Sequence, residues 1–284
     1  MSKIAIVTDS TANLPQDLLQ KYNITVTPQV LIWGDQTYED GVDITPDEFY
    51  KRLKTAKVLP TTSQVSPASM QRAFQPLVDR GFEVLGIFVS AKLSGTIQSA
   101  LQAREMMGST GEKVTIADSQ SVAMAMGFQV LEAARALENG ATLKEVVAIV
   151  ENGHKHTGVY FAVDTLEFLH RGGRIGGAQR FIGSVLNMKP ILAIQGGRVE
   201  GIERIRTKAK AHDRVLELIA EQVKGKSNIR LATLHAHAAE DAKALLVRAT
   251  EVLKPVETLF TEVSPVVGNH AGPGTVGLAY AFDL

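Results

Sequence analysis

Residues 84–96 read Val84-Leu85-Gly86-Ile87-Phe88-Val89-Ser90-Ala91-Lys92-Leu93-Ser94-Gly95-Thr96. The first six are apolar and rich in β-branched and aromatic side chains, which is typical of a buried strand. The next seven are mostly small and uncharged, and they lead into a segment that predicts a helix over residues 96–107. A buried strand, a short polar loop and a helix in this order form the repeating unit of a parallel α/β sheet.

The same alternation of strand and helix signals runs through the first half of the chain. Thr45 before Pro46 and Ser66 before Pro67 predict two further helix starts, because Ser and Thr cap helices and Pro suits the first helical position. The spacing indicates a Rossmann-like N-terminal α/β domain over residues 1–156, with helices on both faces of a parallel sheet. The predicted strands are residues 4–7, 24–27, 29–33, 84–89 and 114–117, and the later helices are 121–138 and 143–152.

From about residue 157 the pattern changes. Gly196-Gly197 separates two apolar runs, residues 191–194 and 198–205, and this arrangement is typical of a β-hairpin. Because hairpin strands pair antiparallel, we expect a smaller C-terminal α+β domain with a mixed sheet over residues 157–284. Its other strands are predicted at residues 158–163, 229–235, 256–263 and 275–282, and its main helices at 209–223 and 239–253.

Composition limits the kinds of partner that the chain binds. Among its 284 residues, 30 Lys and Arg balance 30 Asp and Glu without a basic stripe, so nucleic acid is not an expected partner. The absence of cysteine excludes disulfides, thiolate metal sites and cysteine nucleophiles. No apolar run reaches the ~20 residues of a membrane helix, and no signal-peptide pattern opens the chain. We expect a soluble, cytoplasmic protein with no integral membrane segment.

Five short loops rich in Ser, Thr, Gly and Asn follow the apolar runs. In an open α/β sheet, loops at the carboxyl ends of the strands converge on one crevice. Hydroxyls and free backbone N–H groups there suit a small anion, and they lack the paired acids and bases that most bond-breaking chemistry needs. We therefore expect a binding protein rather than an enzyme. The loops are residues 8–11, 61–64, 90–96, 118–121 and 268–274.

Ser94-Gly95-Thr96 is well placed to hold an anion, because the first N–H groups of the helix that follows have no partner within it. Gly95 allows close approach of the backbone. Ser94 either bonds the anion or caps the helix. Two alternatives also stay open for Thr62 and Ser63, whose hydroxyls either point at a ligand or lie solvated in a turn.

His270 lies in Asn269-His270-Ala271-Gly272-Pro273-Gly274, which predicts a stiff corner. There it either donates a hydrogen bond to a carboxylate or acts as a base toward Ser94. The second alternative describes a Ser–His hydrolase or acyl transferase that acts on lipid esters. The nucleophile elbow Gly-x-Ser-x-Gly is missing, since Lys92 stands two residues before Ser94. Binding is therefore favoured over hydrolysis.

No cofactor and no metal are expected. The run Arg171-Gly172-Gly173-Arg174 lacks the Gly-Lys-Ser/Thr ending of a phosphate loop, so a phosphate- or nucleotide-binding regulator is the weakest alternative. His235 and His237 have no clustered carboxylate or third histidine beside them in the sequence. Asp9 and Asp118 are better explained as local caps of their loops than as Mg²⁺ ligands.

Several of these motifs together resemble the DegV family of fatty-acid-binding proteins. They follow the family's order along essentially the whole chain, and such an ordered set is far more specific than any single motif. The resemblance implies a two-domain α/β fold with one long-chain fatty acid in a buried tunnel of the interdomain cleft. The matching segments are residues 8–15, 62–67, 93–96, 165–175, 189–190, 206–208 and 270–274.

The resemblance also implies partners and residue roles. Some members present the acid to a fatty-acid kinase that resembles dihydroxyacetone kinase, so the chemistry resides in that partner, and transient membrane contact is part of the expectation. From the residues themselves, the apolar segments 159–163 and 181–188 are candidate tunnel walls. The residues implied to hold the carboxylate are Thr62 or Ser63, Ser94, Gly95 and His270, and those implied to tune the head group or dock a partner are Arg174 and Arg206.

Overall fold

The computed structural model describes residues 3–183 and 188–283. The strands are β1 (Lys3–Asp9), β2 (Thr25–Thr27), β3 (Val30–Trp33), β4 (Gln36–Glu39), β5 (Thr61–Ser63), β6 (Phe82–Phe88), β7 (Val114–Asp118), β8 (Thr157–Ala162), β9 (Lys189–Gln195), β10 (Arg198–Ile205), β11 (Arg230–His235), β12 (Glu257–Leu259) and β13 (Val276–Ala281). The α-helices are α1 (Gln16–Lys21), α2 (Pro46–Leu53), α3 (Pro67–Asp79), α4 (Thr96–Met106), α5 (Ala123–Glu138), α6 (Leu143–Gly153), α7 (Glu167–Arg171), α8 (Lys208–Val223), α9 (Ala239–Leu253) and α10 (Pro265–Ala271).

The N-terminal sheet has the strand order β2-β1-β6-β7, and every pair in it is parallel. Strands β1 and β6 are buried along most of their length, as expected for strands covered by helices on both faces. The predicted parallel α/β architecture is confirmed. The loops after β1 and β6 leave the sheet at the same edge, because parallel strands end on one side.

The C-terminal sheet has the strand order β10-β9-β8-β13-β11-β12. Only β11 and β12 pair in parallel, so the predicted mixed sheet is confirmed. Gly196 and Gly197 turn the β9–β10 hairpin with φ values of +55° and +81°, a conformation that costs other residues energy. The proposed domain boundary between residues 156 and 157 falls where β8 begins.

A third, small sheet was not predicted. Strands β4, β3 and β5 pair antiparallel in that order, and Leu31 of β3 lies opposite Thr62 of β5. Residues 61–63, expected in a polar loop, therefore form a short strand. The alternation of apolar and polar residues is too brief over three positions to predict such a strand from sequence.

The predictions for the region after residue 256 were partly wrong. The strand expected over residues 256–263 is only β12, and His270 lies in the last turn of α10 rather than in the stiff loop predicted over residues 268–274. Ser264 caps this helix by accepting a hydrogen bond from Val267 N, and Pro265 occupies its first position. A Ser-Pro pair ends the extended segment here because proline has no N–H to donate to a sheet and favours a helix start.

Helix α5 joins the two large sheets. A single hydrophobic cluster includes Phe128 of α5, Phe49 of α2 and Phe161 of the C-terminal sheet. Nη2 of Arg135 in α5 also contacts both carboxylate oxygens of Glu257 in β12, at 2.7 and 2.8 Å. These contacts pack α5 against the C-terminal sheet. No helix in the described ranges has the length and apolar character needed to cross a bilayer.

Candidate functional site

A cavity of about 100 Å³ lies between the N-terminal and C-terminal sheets. Its walls are mostly apolar, with Val89 and Val122 on one side and Val159, Phe161 and Leu234 of the C-terminal sheet on the other. Five polar residues predicted to form the site also line it, and we call this set the polar mouth. The polar mouth consists of Thr62, Ser63, Ser94, Arg174 and His270.

A second pocket of about 350 Å³ lies outside the cavity. Thr62, Arg174 and His270 line both spaces, so these three residues separate the apolar cavity from the outer pocket. The outer pocket is otherwise formed by parts of the chain that include Arg171 and Asn269.

His270 is held in place from two sides. Its Nε2 lies 2.7 Å from Oγ1 of Thr62, which β5 presents by pairing with β3. On the other side, Gly172 packs so closely against Nδ1 that a Cβ atom at this position would overlap the ring. Glycine at position 172 is therefore a steric requirement of the His270 ring position.

His270 is uncharged at neutral pH in this arrangement. Burial, together with the Arg174 guanidinium nearby, lowers its pKa to about 4. Its Nδ1 is buried and has no hydrogen-bond partner among the described residues. The ring therefore offers a neutral polar group to the site, with a latent capacity to take up a proton when a negative charge arrives.

Ser94 does not cap the helix that follows it. The residue at the cap position of α4 is Gly95, which makes no side-chain bond, and Oγ of Ser94 lies 2.8 Å from Oγ1 of Thr96. Thr96 in turn accepts a hydrogen bond from Nε2 of Gln29 at 2.8 Å. The alternative of a capping serine is therefore wrong, and the Ser94 hydroxyl remains part of the cavity lining.

Gly95 lies behind the lining rather than in it. A Cβ atom there would come within 3.1 Å of the Gln64 side chain, so the glycine allows the loop that contains Thr62 and Ser63 to pack closely against the start of α4. Gln64 itself lines the cavity. Gly95 thus brings two predicted loops together.

Arg174 is the only charged side chain among the described residues that line the cavity. Its Nε donates to the Leu93 carbonyl at 3.0 Å, and its Nη1 donates to the Gly172 carbonyl at 2.7 Å. These bonds fix the guanidinium at the polar mouth. Arg206, in contrast, is exposed between β10 and α8 and is not part of the lining of either pocket.

Gln29 was not among the predicted site residues. It is 2% exposed, lines the cavity and bonds Thr96, although the two residues are far apart in sequence. A polar residue directly after Pro28, at the start of an apolar run, was the only local sign of a special role. Its partner could not be identified without the fold.

The arrangement does not pair Ser94 with His270. The hydrogen bonds of these residues go to Thr96 and Thr62, respectively. The imidazole also lacks the third group that orients a catalytic base, because Nδ1 has no partner in the described part of the chain. The geometry therefore gives no support to a Ser–His hydrolase.

The residues whose chemistry could suit a metal ion have local roles. Asp9 accepts hydrogen bonds from the backbone N–H groups of Thr11 and Val89, which ties the loop after β1 to β6. Nδ1 of His235 lies 3.6 Å from a carboxylate oxygen of Glu262, a partner that the sequence did not reveal. Even so, within residues 3–183 and 188–283 no three potential ligands come together as a metal site.

Among the described residues of the two candidate tunnel walls, only residues of the first segment line the cavity. Val159 and Phe161 face the cavity. In the second segment, Phe181 is buried against Gly201, and residues 184–187 lie outside the described residues.

Comparison with known proteins places this geometry in a family. Residues 3–283 match the family described as uncharacterised protein, DegV family. The chain is 36% identical over 284 residues to a DegV domain-containing protein from Halalkalibacterium halodurans, with 100% of both chains covered. It is also similar to the structure of a DegV family protein from Thermus thermophilus with fatty acid binding (37% identity, 99% of both chains, TM-score 0.92). A second similar structure is DegV from Bacillus subtilis, a fatty acid binding protein (32% identity, 100% of both chains, TM-score 0.90). The chain belongs to the DegV family.

Proposed function

We propose that this protein is a cytoplasmic carrier that binds one long-chain fatty acid, with the alkyl chain in the cavity and the carboxylate at the polar mouth. One observation carries the proposal: an apolar cavity between the sheets opens through a small set of hydroxyls, a neutral histidine and a fixed arginine. An amphipathic ligand with one negative end fits both parts.

The polar mouth suits an ionised carboxylate. The hydroxyls of Thr62 or Ser63 and of Ser94, together with His270, supply hydrogen bonds, and Arg174 supplies a positive charge. A hydrogen bond to a charged group contributes about 1.5–3 kcal/mol net. Two or three such bonds account for a head-group preference without any catalytic apparatus.

The alkyl chain supplies most of the binding free energy. Each buried methylene contributes about 0.8 kcal/mol. A cavity of 100 Å³ has room for roughly three or four groups of the size of a water molecule or a methylene, at about 30 Å³ each. A chain of about sixteen carbons needs more room than that, so we propose that the apolar walls move apart when the ligand enters.

The relatives support the same ligand class. The similar proteins from Thermus thermophilus and Bacillus subtilis are described as binding fatty acids, and each aligns with this chain over at least 99% of its length. These descriptions apply to the relatives. That this protein binds the same class of ligand is part of the proposal.

The outer pocket gives the carrier role a structural basis. Thr62, Arg174 and His270 line both the cavity and the outer pocket. A carboxylate held by them is therefore accessible from the outer pocket while the alkyl chain stays buried. We propose that a fatty-acid kinase resembling dihydroxyacetone kinase approaches this side and performs the chemistry. The exposed Arg206 is then a docking residue rather than a head-group contact.

The test is to purify the protein from a lipid-rich host, extract it and identify copurified lipid by mass spectrometry, and then to titrate delipidated protein with oleate. We expect intact fatty acid in the extract and saturation at one oleate per chain. Stabilisation by nucleotide but not by oleate would contradict the proposal. Ester hydrolysis that is lost on Ser94→Ala would replace it with the hydrolase.

A further inference from the structure

We propose that Gln29 and Thr96 are positioning residues that turn the Ser94 hydroxyl into a dedicated hydrogen-bond donor for an ionised head group. This inference rests on the proposed function, since it concerns the same polar mouth. It adds a basis for selecting a carboxylate over a neutral head group.

The hydrogen bonds form a continuous series from the interior of the N-terminal domain to the cavity. Nε2 of Gln29 donates to Oγ1 of Thr96 at 2.8 Å, and Oγ1 of Thr96 lies 2.8 Å from Oγ of Ser94. Thr96 is fully buried, and Gln29 is 2% exposed. Water therefore does not compete for these bonds, and their direction is set by the protein.

The contacts between Gln29 and Thr96 show which end of the amide faces the threonine hydroxyl. Nε2 of Gln29 is the nearer atom, at 2.8 Å from Oγ1 of Thr96, and Oε1 is 3.3 Å away. Because an amide NH₂ group only donates, the shorter contact makes Oγ1 of Thr96 the acceptor.

The direction of the remaining bonds follows from simple donor counting. Thr96 has one hydroxyl proton, and because its oxygen already accepts from Gln29, that proton is available for Ser94. The alternative acceptor, Oε1 of Gln29, is farther away at 3.3 Å. Ser94 then accepts from Thr96 and keeps its own proton for the ligand. Bonds aligned in this way strengthen one another.

A committed donor distinguishes head groups by charge. An ionised carboxylate only accepts, so it matches the Ser94 proton. A fatty alcohol of the same length binds the same apolar walls but is a poorer acceptor and carries no charge. Deleting the hydrogen-bond chain should therefore weaken acid binding and leave alcohol binding nearly unchanged.

The decisive variant is Thr96→Val, which keeps the shape of the side chain and removes the hydroxyl. We expect oleate affinity to fall about five- to fifteenfold, the loss of one hydrogen bond to a group that serves a charge. Oleyl alcohol affinity should change by less than about twofold. In the Ser94→Ala background, Thr96→Val should lower oleate affinity by less than about a further twofold, because Thr96 acts only through Ser94.

Thr233→Val is the matched control. Thr233 is fully buried and hydrogen-bonded to Thr261, but it lies on the opposite face of β11 from Leu234, the cavity residue next to it. We expect it to lower thermal stability without changing the ratio of acid to alcohol affinity. If Thr96→Val does not fold, Gln29→Met tests the same series of hydrogen bonds. The same loss of acid selectivity is expected.

The outcomes separate this inference from the proposed function. If the unmodified protein binds no oleate, the proposed function fails and this inference falls with it. If it binds oleate but Thr96→Val weakens acid and alcohol equally, or adds its full effect to Ser94→Ala, the positioning role is wrong while fatty-acid binding stands.

Discussion

The two ends of the cavity are built by different means. The apolar end is formed by strand residues such as Val159 and Phe161, whose positions follow from the register of the C-terminal sheet. The polar mouth is assembled from loops, a short strand and the end of a short helix, held by individual hydrogen bonds such as Thr62–His270. The comparison teaches that affinity and selectivity have separate structural sources here. Apolar area gives the first, and a few fixed polar groups give the second.

The largest effect is expected from filling the apolar end. Val159→Trp places a large side chain where the alkyl chain should lie. If room for about four methylenes is lost, oleate affinity falls on the order of a hundredfold. Decanoate, which needs less room, should lose far less. Fluorescence or calorimetric titration with both acids measures the difference. An equal loss of affinity for both acids would show that the alkyl chain lies elsewhere.

Removing the cation at the polar mouth should have the next largest effect. We expect Arg174→Met to weaken oleate binding about ten- to a hundredfold, because a charge-assisted hydrogen bond is lost. Oleyl alcohol affinity should hardly change.

Arg206→Met is the matched control for Arg174→Met. The side chain is exposed and lies outside both linings, so affinity should stay within about twofold. A large loss with Arg206→Met instead would assign the head group to a different surface.

Gly172→Ala tests how tightly the polar mouth is fixed. The added Cβ would overlap Nδ1 of His270, so the ring must move away from Thr62. We expect roughly a tenfold loss of oleate affinity, the effect of one broken head-group contact.

Gly173→Ala, next in the chain, provides the matched control for Gly172→Ala. Gly173 has open space around it but a φ of +69°. Its substitution should lower the melting temperature through backbone strain and leave affinity unchanged. Similar affinities for both variants would mean that the position of His270 does not matter to the ligand.

The smallest predicted effect is on pH dependence. Burial and Arg174 lower the pKa of His270 to about 4, so the ring is neutral in the empty protein at pH 7. A bound carboxylate raises that pKa, so binding takes up protons and oleate affinity should increase about two- to fivefold from pH 8 to pH 6. His270→Gln and oleyl alcohol should show no such change. Affinity that rises with pH would contradict the assignment.

The stability of the empty protein should respond in the opposite sense. Because the folded pKa of His270 lies below the ordinary value of 6.5, the unfolded chain binds more protons between about pH 4 and 6.5. Its contribution to stability is present above pH 6.5 and is lost as pH falls toward 4. The contribution of His270 is measured as the difference in unfolding free energy between the wild type and His270→Gln, obtained from denaturant unfolding across this pH range.

The fold was largely predictable from the sequence because its signals are local. The run that forms β6 and the Thr45-Pro46 start of α2 carry their information within a few residues. The third sheet was not predictable in the same way, because β5 has three residues and depends on its pairing with β3. The helical position of His270 depends on a short helix of seven residues, which only the Ser264-Pro265 start signals in the sequence.

The candidate site was predictable as a set of residues but not as a geometry. All five residues of the polar mouth lie in motifs of the sequence, whereas Gln29, which also lines the cavity, does not. The bond between Gln29 and Thr96 joins residues 67 positions apart, and the close contact of Gly172 with His270 joins distant loops. Such contacts depend on how the sheets pack, which no local pattern encodes.

The most direct measurement is a crystal structure of the delipidated protein soaked or grown with oleate. The account predicts one alkyl chain between Val159 and Phe161, with the walls further apart than in the empty protein. Its carboxylate should lie within hydrogen-bond distance of Ser94 and Arg174. An unchanged, empty cavity in a protein that nevertheless binds oleate, with the acid on another surface, would contradict it.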